Sequence, residues 1–209
     1  MVGVLKAKDI TLTQLRESFG LVPEQGDRFF REWQDGASEL EAETKASLDE
    51  VKADYLHLSQ YDLLEPIVKM VVLSPILRLA GFYRDPFYIA AEKKVELLSE
   101  DGDLLVRGMV DLLVFHPKIW IVSVEAKRSY YSLEAAIPQA LFYMLGQAEE
   151  GRSVFGLVTN GREFQFLKLV KGEVSRYALS YTLSLNRDGD LYQVVRSLRQ
   201  LARIQSEWS

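Results

Sequence analysis

The sequence predicts an α/β domain, a mixed central sheet flanked by helices and entered through an N-terminal helical extension. Three observations point there. Apolar runs rich in β-branched and aromatic residues occupy 87–98, 104–115 and 119–124, separated by the turn formers Asp101-Gly102-Asp103 and His116-Pro117-Lys118, a pattern of successive antiparallel strands. A helix over about 133–148 crosses to a strand at 154–159, and a second strand at 164–170 returns around Asn160-Gly161, a strong hairpin signal. An amphipathic helix over 191–204, with Val194, Val195, Leu198 and Leu201 on one face, closes the chain.

The remaining elements follow in order. Thr11 to Arg16 reads as a short helix ending near Gly20, residues 28–33 as another, and 38–58 as a longer one whose apolar face (Leu40, Leu48, Val51, Tyr55, Leu58) is incomplete. Ser59 with Asp62 is expected to cap the next helix, which carries Glu65. Pro75 is expected to break that helix, with Ser74 capping a second piece. Residues 174–179 add an expected edge strand. Residues 1–58 read as a helical extension packed on the core and 59–209 as the domain proper, one compact unit without repeat, low-complexity tract or linker.

At 209 residues the chain can bury a substantial core. It holds no cysteine, which excludes disulfides, zinc-thiolate sites and thiol nucleophiles. The most apolar stretch, 68–79, is interrupted by Lys69, Pro75 and Arg78, so no membrane span is expected, and without a charged-then-apolar leader the expected compartment is the cytoplasm. His57 and His116 lack ligand spacing to any partner, and there is no phosphate-binding Gly-rich loop or Gly-x-Ser-x-Gly. Net charge is −5, but the acids are concentrated: residues 35–66 hold nine acids and two bases, and elsewhere bases outnumber acids. That segment reads as a solvated helix face. Candidate basic contacts are Lys127-Arg128, Arg152, Arg162, Arg187, Arg196, Arg199 and Arg203.

The most informative pattern is Gly108-Met-Val-Asp111 followed by Glu125-Ala-Lys127 at the end of the next apolar run. Glu125 and Lys127 share a strand face by alternation, and two charges on an otherwise apolar strand are costly unless something uses them. Hard cations such as Mg²⁺ or Mn²⁺ prefer oxygen ligands, which Asp111, Glu125 and the Ala126 carbonyl can supply. Lys127 can then orient the attacking water and offset charge on a phosphate. The alternative is a buried ion pair or a wet sheet edge. In the helix that follows, Pro138 kinks or delays the start, Ser132 is a plausible N-cap, and Gln139 and Tyr143 fall at i and i+4 on one margin of the apolar stripe. Gln139 there can contact a phosphate or a bound water; an ordinary half-exposed polar residue is the equal alternative.

Gly-x-x-Asp111, Glu125-x-Lys127 and Gln139-x-x-x-Tyr143 together resemble the PD-(D/E)xK nuclease superfamily, with its restriction-endonuclease-like core. The Gln-x-x-x-Tyr helix is similar to that of recombination-associated exonucleases and of type I restriction R subunits. Val154 to Phe166, through Thr159-Asn160-Gly161, resembles the strand–Thr-Asn-Gly–strand segment of the R-subunit nuclease domain, and Leu63-Leu64-Glu65-Pro66 with Ser74 to Phe82 resembles its entry helix. The resemblance spans roughly residues 60 to 170; Val110 stands where the family name has Pro. It implies a Mg²⁺-dependent (or Mn²⁺-dependent) deoxyribonuclease with the helix acid at Glu65, for which Asp62, Glu92 and Glu96 compete, and a solvated helix position is the alternative for Glu65. Asp111, Glu125, Lys127 and Gln139 would be catalytic, with Arg128 and Tyr143 on the substrate. No helicase-type phosphate loop is present, so the nuclease module would stand without its motor. Expected partners are DNA, a second copy in a C2 dimer through the 38–58 helix, and subunits of a restriction-type system. Two other readings stay open: a catalytically silent module binding nucleic acid or protein, and a phosphodiesterase acting on small nucleotides.

Overall fold

The computed structural model describes residues 3–26, 28–35, 38–61, 63–99, 101–115, 119–123 and 133–206, with 90–93, 109–115, 119–123 and 205–206 described by their backbone. The expected α/β class holds. Strands β1 (Gly3–Lys6), β2 (Leu21–Pro23), β3 (Tyr88–Leu98), β4 (Leu104–Phe115), β5 (Ile119–Ser123), β6 (Ser153–Thr159), β7 (Glu163–Val170), β8 (Ser175–Leu179) and β9 (Leu183–Ser184) form one mixed sheet. Its path runs β1-β4-β5-β6-β7-β8-β2, with β3 added on β4 and β9 on β7. Helices α1 (Leu12–Phe19), α2 (Ala42–Leu58), α3 (Glu65–Val68), α4 (Ser74–Ala80), α5 (Ile137–Leu145) and α6 (Asp190–Ser206) cover it.

Alternation along the central strands sorts the core into two layers. Val154 and Val158 of β6 and Leu167 and Leu169 of β7 pack with α1 and α5, while Phe155, Leu157, Phe164 and Phe166 face the layer that holds α2, α4 and α6. All seven residues of β6 are buried, as expected of a strand covered on both faces. Burying each such Val, Leu or Phe side chain contributes about 1.5–3 kcal/mol.

Several elements form where sequence chemistry says they should. α1 opens on a capping box, with Gln14 N donating to Thr11 Oγ1 and Gln14 Oε1 accepting from Thr11 N, and Gly20 closes it in the left-handed region. Between β6 and β7, Asn160 Oδ1 accepts from Arg162 N and Glu163 N, and Gly161 takes φ 85°. Pro138 delays α5 to Ile137, after a single 3-10 turn at Leu133–Ala135; Ser132, the expected cap, lies outside the described residues.

Other expectations need correcting. Residues 28–33 make turns, and α2 starts at Ala42 rather than near Ser38. Ser59 donates to Leu56 O at the end of α2 and does not cap α3, which begins after Leu64 without a side-chain cap; Asp62 lies outside the described residues. Pro75 does not break the helix: a π-helical turn at Lys69–Leu73 joins α3 to α4, the wider spacing accommodating a proline that cannot donate. The first 23 residues also supply strands, β1 parallel to β4 and β2 parallel to β8, so β8 is not the sheet edge. α2 buries Leu48 and Val51 in the core.

Candidate active site

α5 is buried along its whole length except at Gln139, which is half-buried. Gln139 Nε2 donates to Tyr143 Oη at 2.8 Å, so the two residues at i and i+4 form one unit. Tyr143 is 1% exposed and stands against Gly108 of β4. A Cβ on Gly108 would lie 2.7 Å from Tyr143 Oη and 2.4 Å from the Ala7 Cβ. Three segments therefore meet at Gly108: α5, β4, and the 3-10 turn Ala7–Asp9 that follows β1. The glycine of Gly-x-x-Asp is explained by space alone.

Sheet pairing changes hands at this point. One flank of β4 pairs with β1 up to Lys6↔Arg107, and its described pairing with β5 begins at Leu112↔Ile121. The other flank pairs with β3 along nearly its full length, Lys93↔Val110 and Ala91↔Leu112 bracketing positions 92 and 111. Asp111 thus sits three residues beyond Gly108, about 10 Å along the strand, where the flank passes from β1 to β5. A groove of about 460 Å³ opens at the fork, floored by Ala7, Gly108, Gln139 and Tyr143. Lys6, Lys8, Lys94, Glu96 and Arg107 rim it.

Glu125, Ala126, Lys127 and Arg128 lie outside the described residues. β5 is described to Ser123, which pairs in parallel with Thr159 at the end of β6. The Asn160-Gly161 turn follows directly, and α3 packs on it: a Cβ on Gly161 would lie 2.3 Å from Val68 Cγ1. α3 therefore brings Glu65 to the end of the sheet toward which β5 runs. Glu65 pairs with Lys69 at 2.5 Å. Of the acids competing for its role, Glu96 is on the groove rim and bonds Arg107 at 3.3 Å, and Glu92 is placed by its backbone in β3.

Most arginines suggested as nucleic-acid contacts have partners within the protein. Arg152 pairs with Glu149, Arg187 with Asp190 and the Thr182 carbonyl, and Arg196 with Glu39. Arg162 donates through Nε and Nη2 to the side-chain oxygen of Asn186. Arg199 donates to the Leu79 carbonyl and to Glu41. The Glu41 carboxyl is held down at about 2, first by a hydrogen bond with its own backbone and then by Arg199 and Thr44. Arg203 lines a separate cleft of about 1240 Å³ in which Glu43, Glu50 and Asp54 of α2 are set against Arg78 and Arg84.

Sequence reasoning missed the groove cations. Lys6 and Lys8 flank a buried alanine, and Lys94 interrupts an apolar strand. Charges inside apolar runs were the available signal.

The fit of a cation rests on donor chemistry and place. Asp111, Glu125, the Ala126 carbonyl and Glu65 are all oxygen donors suited to a hard ion. Asp111 is placed by its backbone in β4, and α3 carries Glu65 toward the turn that follows β6; Glu125 and Ala126 lie outside the described residues. Among the described residues no three acids or histidines cluster closely enough to hold a metal, and no helix is long and apolar enough to cross a membrane. No protein-family model matches the chain, and no curated protein matches it.

Proposed function

We propose that this chain is a Mg²⁺-dependent deoxyribonuclease that hydrolyses phosphodiester bonds at the fork beside Gly108. The observation that carries the reading is the Gln139–Tyr143 pair, hydrogen-bonded at 2.8 Å and seated against the glycine of the Gly-x-x-Asp111 strand. Gly108 of one motif and Gln139 and Tyr143 of the other, each motif weak alone, thus line one groove.

Asp111, Glu125 and the Ala126 carbonyl would hold the cation, with Glu65 as the helix acid; bound Mg²⁺ polarises the phosphate and makes a water acidic enough to attack at neutral pH. The chain's own groups do the rest. Lys127 orients the nucleophilic water and offsets charge developing on the phosphoryl oxygens. Gln139, its Nε2 engaged by Tyr143, presents its carbonyl oxygen as an acceptor in the groove. Tyr143, fully packed, keeps that amide from rotating. Water gives up a proton as its oxygen bonds to phosphorus, one bridging P–O bond breaks, and the leaving alkoxide takes up a proton, so that one water is consumed for each bond cut.

The test is cleavage of end-labelled single-stranded and duplex oligonucleotides in Mg²⁺ and in Mn²⁺, wild type against Asp111→Asn. Cleavage confined to the wild type is expected, together with loss of Mn²⁺ binding by calorimetry in the variant. A pure Asp111→Asn preparation that cuts as fast as wild type would sink the proposal. DNA binding without cleavage in either metal would favour the silent module.

A further inference from the structure

We propose that Lys6, Lys8 and Lys94 form a phosphate track that grips the backbone of a DNA strand at the mouth of the fork. This names the binding surface of the site read above, and it takes the polyanion to be DNA on that reading.

The argument begins with the backbone. Lys6 of β1 pairs in register with Arg107 of β4, which pairs on its other side with Glu96 of β3. Lys94 lies two residues from Glu96, hence on the same face of β3. Neighbouring strands lie about 4.8 Å apart, so Lys6, Arg107, Glu96 and Lys94 form a short cross-strand row. Their apolar neighbours Val95 and Val106 point the other way, into the layer beneath α1 and α5. The row's face is open: Val4 and Leu98, at the same end of the sheet, are 67% and 56% exposed. Lys8 joins from the 3-10 turn, whose Ala7 is locked against Gly108.

Charge then decides the ligand. Four cations line the groove against one acid, and that acid is bonded to Arg107. Asp9, exposed in the same turn as Lys8, is the nearest other acid along the chain. Lys6, Lys8 and Lys94 make no ion pair among the described residues, whereas Arg152, Arg162, Arg176, Arg187, Arg196 and Arg199 are bound to acids, carbonyls or amides. Ammonium groups on β1, on β3 and in the turn, without ion pairs among the described residues, suit a repeating anion better than a single carboxylate. Such a track also resolves an apparent conflict, since phosphate binding depends on local cations and not on the net charge of the protein.

The experiment is fluorescence anisotropy of a labelled 20-nucleotide single strand in EDTA, titrated at several salt concentrations. It compares wild type, the Lys6→Ala/Lys8→Ala/Lys94→Ala triple variant, Asp111→Asn, and Arg152→Ala as a distant control. Each phosphate contact on a single strand adds about 0.7 to the slope of log affinity against log salt. The triple variant is therefore expected to lose about two units of slope and about a hundredfold in affinity near 0.1 M salt. Arg152→Ala is expected to bind as wild type does, and Asp111→Asn, which removes a negative charge, no more weakly. Unchanged slope and affinity in a folded triple variant would overturn the track. So would a poly-glutamate peptide that binds as tightly as the oligonucleotide, which would make this an acidic-protein surface. Wild type that cleaves nothing yet binds through the lysines upholds the track while refuting the catalytic reading. Asp111-dependent cleavage with lysine-independent binding does the reverse.

Discussion

Replacing Gly108 with alanine tests the geometry of the fork directly. Carbon atoms in contact normally sit about 3.5–4.0 Å apart, and the new Cβ would lie 2.4 Å from the Ala7 Cβ, 2.7 Å from Tyr143 Oη and 2.9 Å from Tyr143 Cε1. Neither neighbour can swing aside. Ala7 has no rotatable side chain and is 1% exposed; Tyr143 is equally buried and its hydroxyl holds Gln139. Relief requires main-chain movement of the turn or of α5. Overpacking of this kind costs about 1–3 kcal/mol. For a chain of this length each kcal/mol lowers the melting temperature by about 2–4 °C, so a fall of about 2–12 °C is expected. Calorimetry on wild type, Gly108→Ala, Ala7→Gly and the double variant reads it out. Ala7→Gly removes the closest contact and should recover part of the loss, giving a non-zero coupling in the cycle. Cleavage should fall further than stability alone explains, because Tyr143 and Gln139 must move. A Gly108→Ala protein melting within about a degree of wild type would refute the packing argument, and with it the claim that three segments are locked there.

The β6–β7 hairpin turn offers a parallel case. Gly161 combines φ 85° with a 2.3 Å approach to Val68 Cγ1, so Gly161→Ala should cost about 2 kcal/mol or more from left-handed strain plus overpacking. Chemical denaturation checks this, and Val68→Ala in the same chain should restore the overpacking share and leave the strain. Acid unfolding reports on α2. The Glu41 carboxyl titrates near 2 when folded against an ordinary 4.5, so its contribution is complete above about pH 4.5 and is lost as pH falls toward 2. Glu41→Gln should melt below wild type at pH 6, the two curves converging by about pH 2; a constant gap across that window would discount the ion pair with Arg199.

What was legible in the sequence was local. The α1 capping box lies within four residues, the β6–β7 turn within five, and the long alternating runs of β3 and β4 declare themselves without knowledge of partners. α6 was readable for the same reason, its apolar positions recurring along one face. β1 and β2 were not. Four and three residues are too few to show a period, and both pair in parallel with strands far along the chain. The π turn before Pro75 is a tertiary compromise, and propensity alone reads that proline as a break. Within the candidate site, the Gln139–Tyr143 relation followed from helical spacing, and the structure adds their hydrogen bond and their seat on Gly108. The lysines escaped because only the β1–β4–β3 pairing brings positions 6, 8 and 94 to one rim.

The same pairing explains why net charge misleads in this chain. Two acids of the 35–66 segment pair with bases of the α2–α6 face: Glu39 with Lys45 and Arg196, Glu41 with Arg199. Asp188, in the turn before α6, likewise engages Lys52 of α2. These pairs fasten α2 and α6 over one face of the sheet. They sit on the α2–α6 side and are separate in sequence and packing from the β1–β4–β3 fork. Exposed ion pairs of this kind are worth little individually, typically under about 1 kcal/mol. Their larger effect is to cancel charge of both signs on that face. The lysines at the rim of the fork make no ion pair among the described residues, and charge effects at the protein surface fade over about 8–10 Å at physiological salt. A phosphate arriving there meets the local field of Lys6, Lys8 and Lys94, with little influence from the acids of α2. Under the proposed reading, local cations at the fork would therefore be the physical basis on which an acidic protein holds a polyanion.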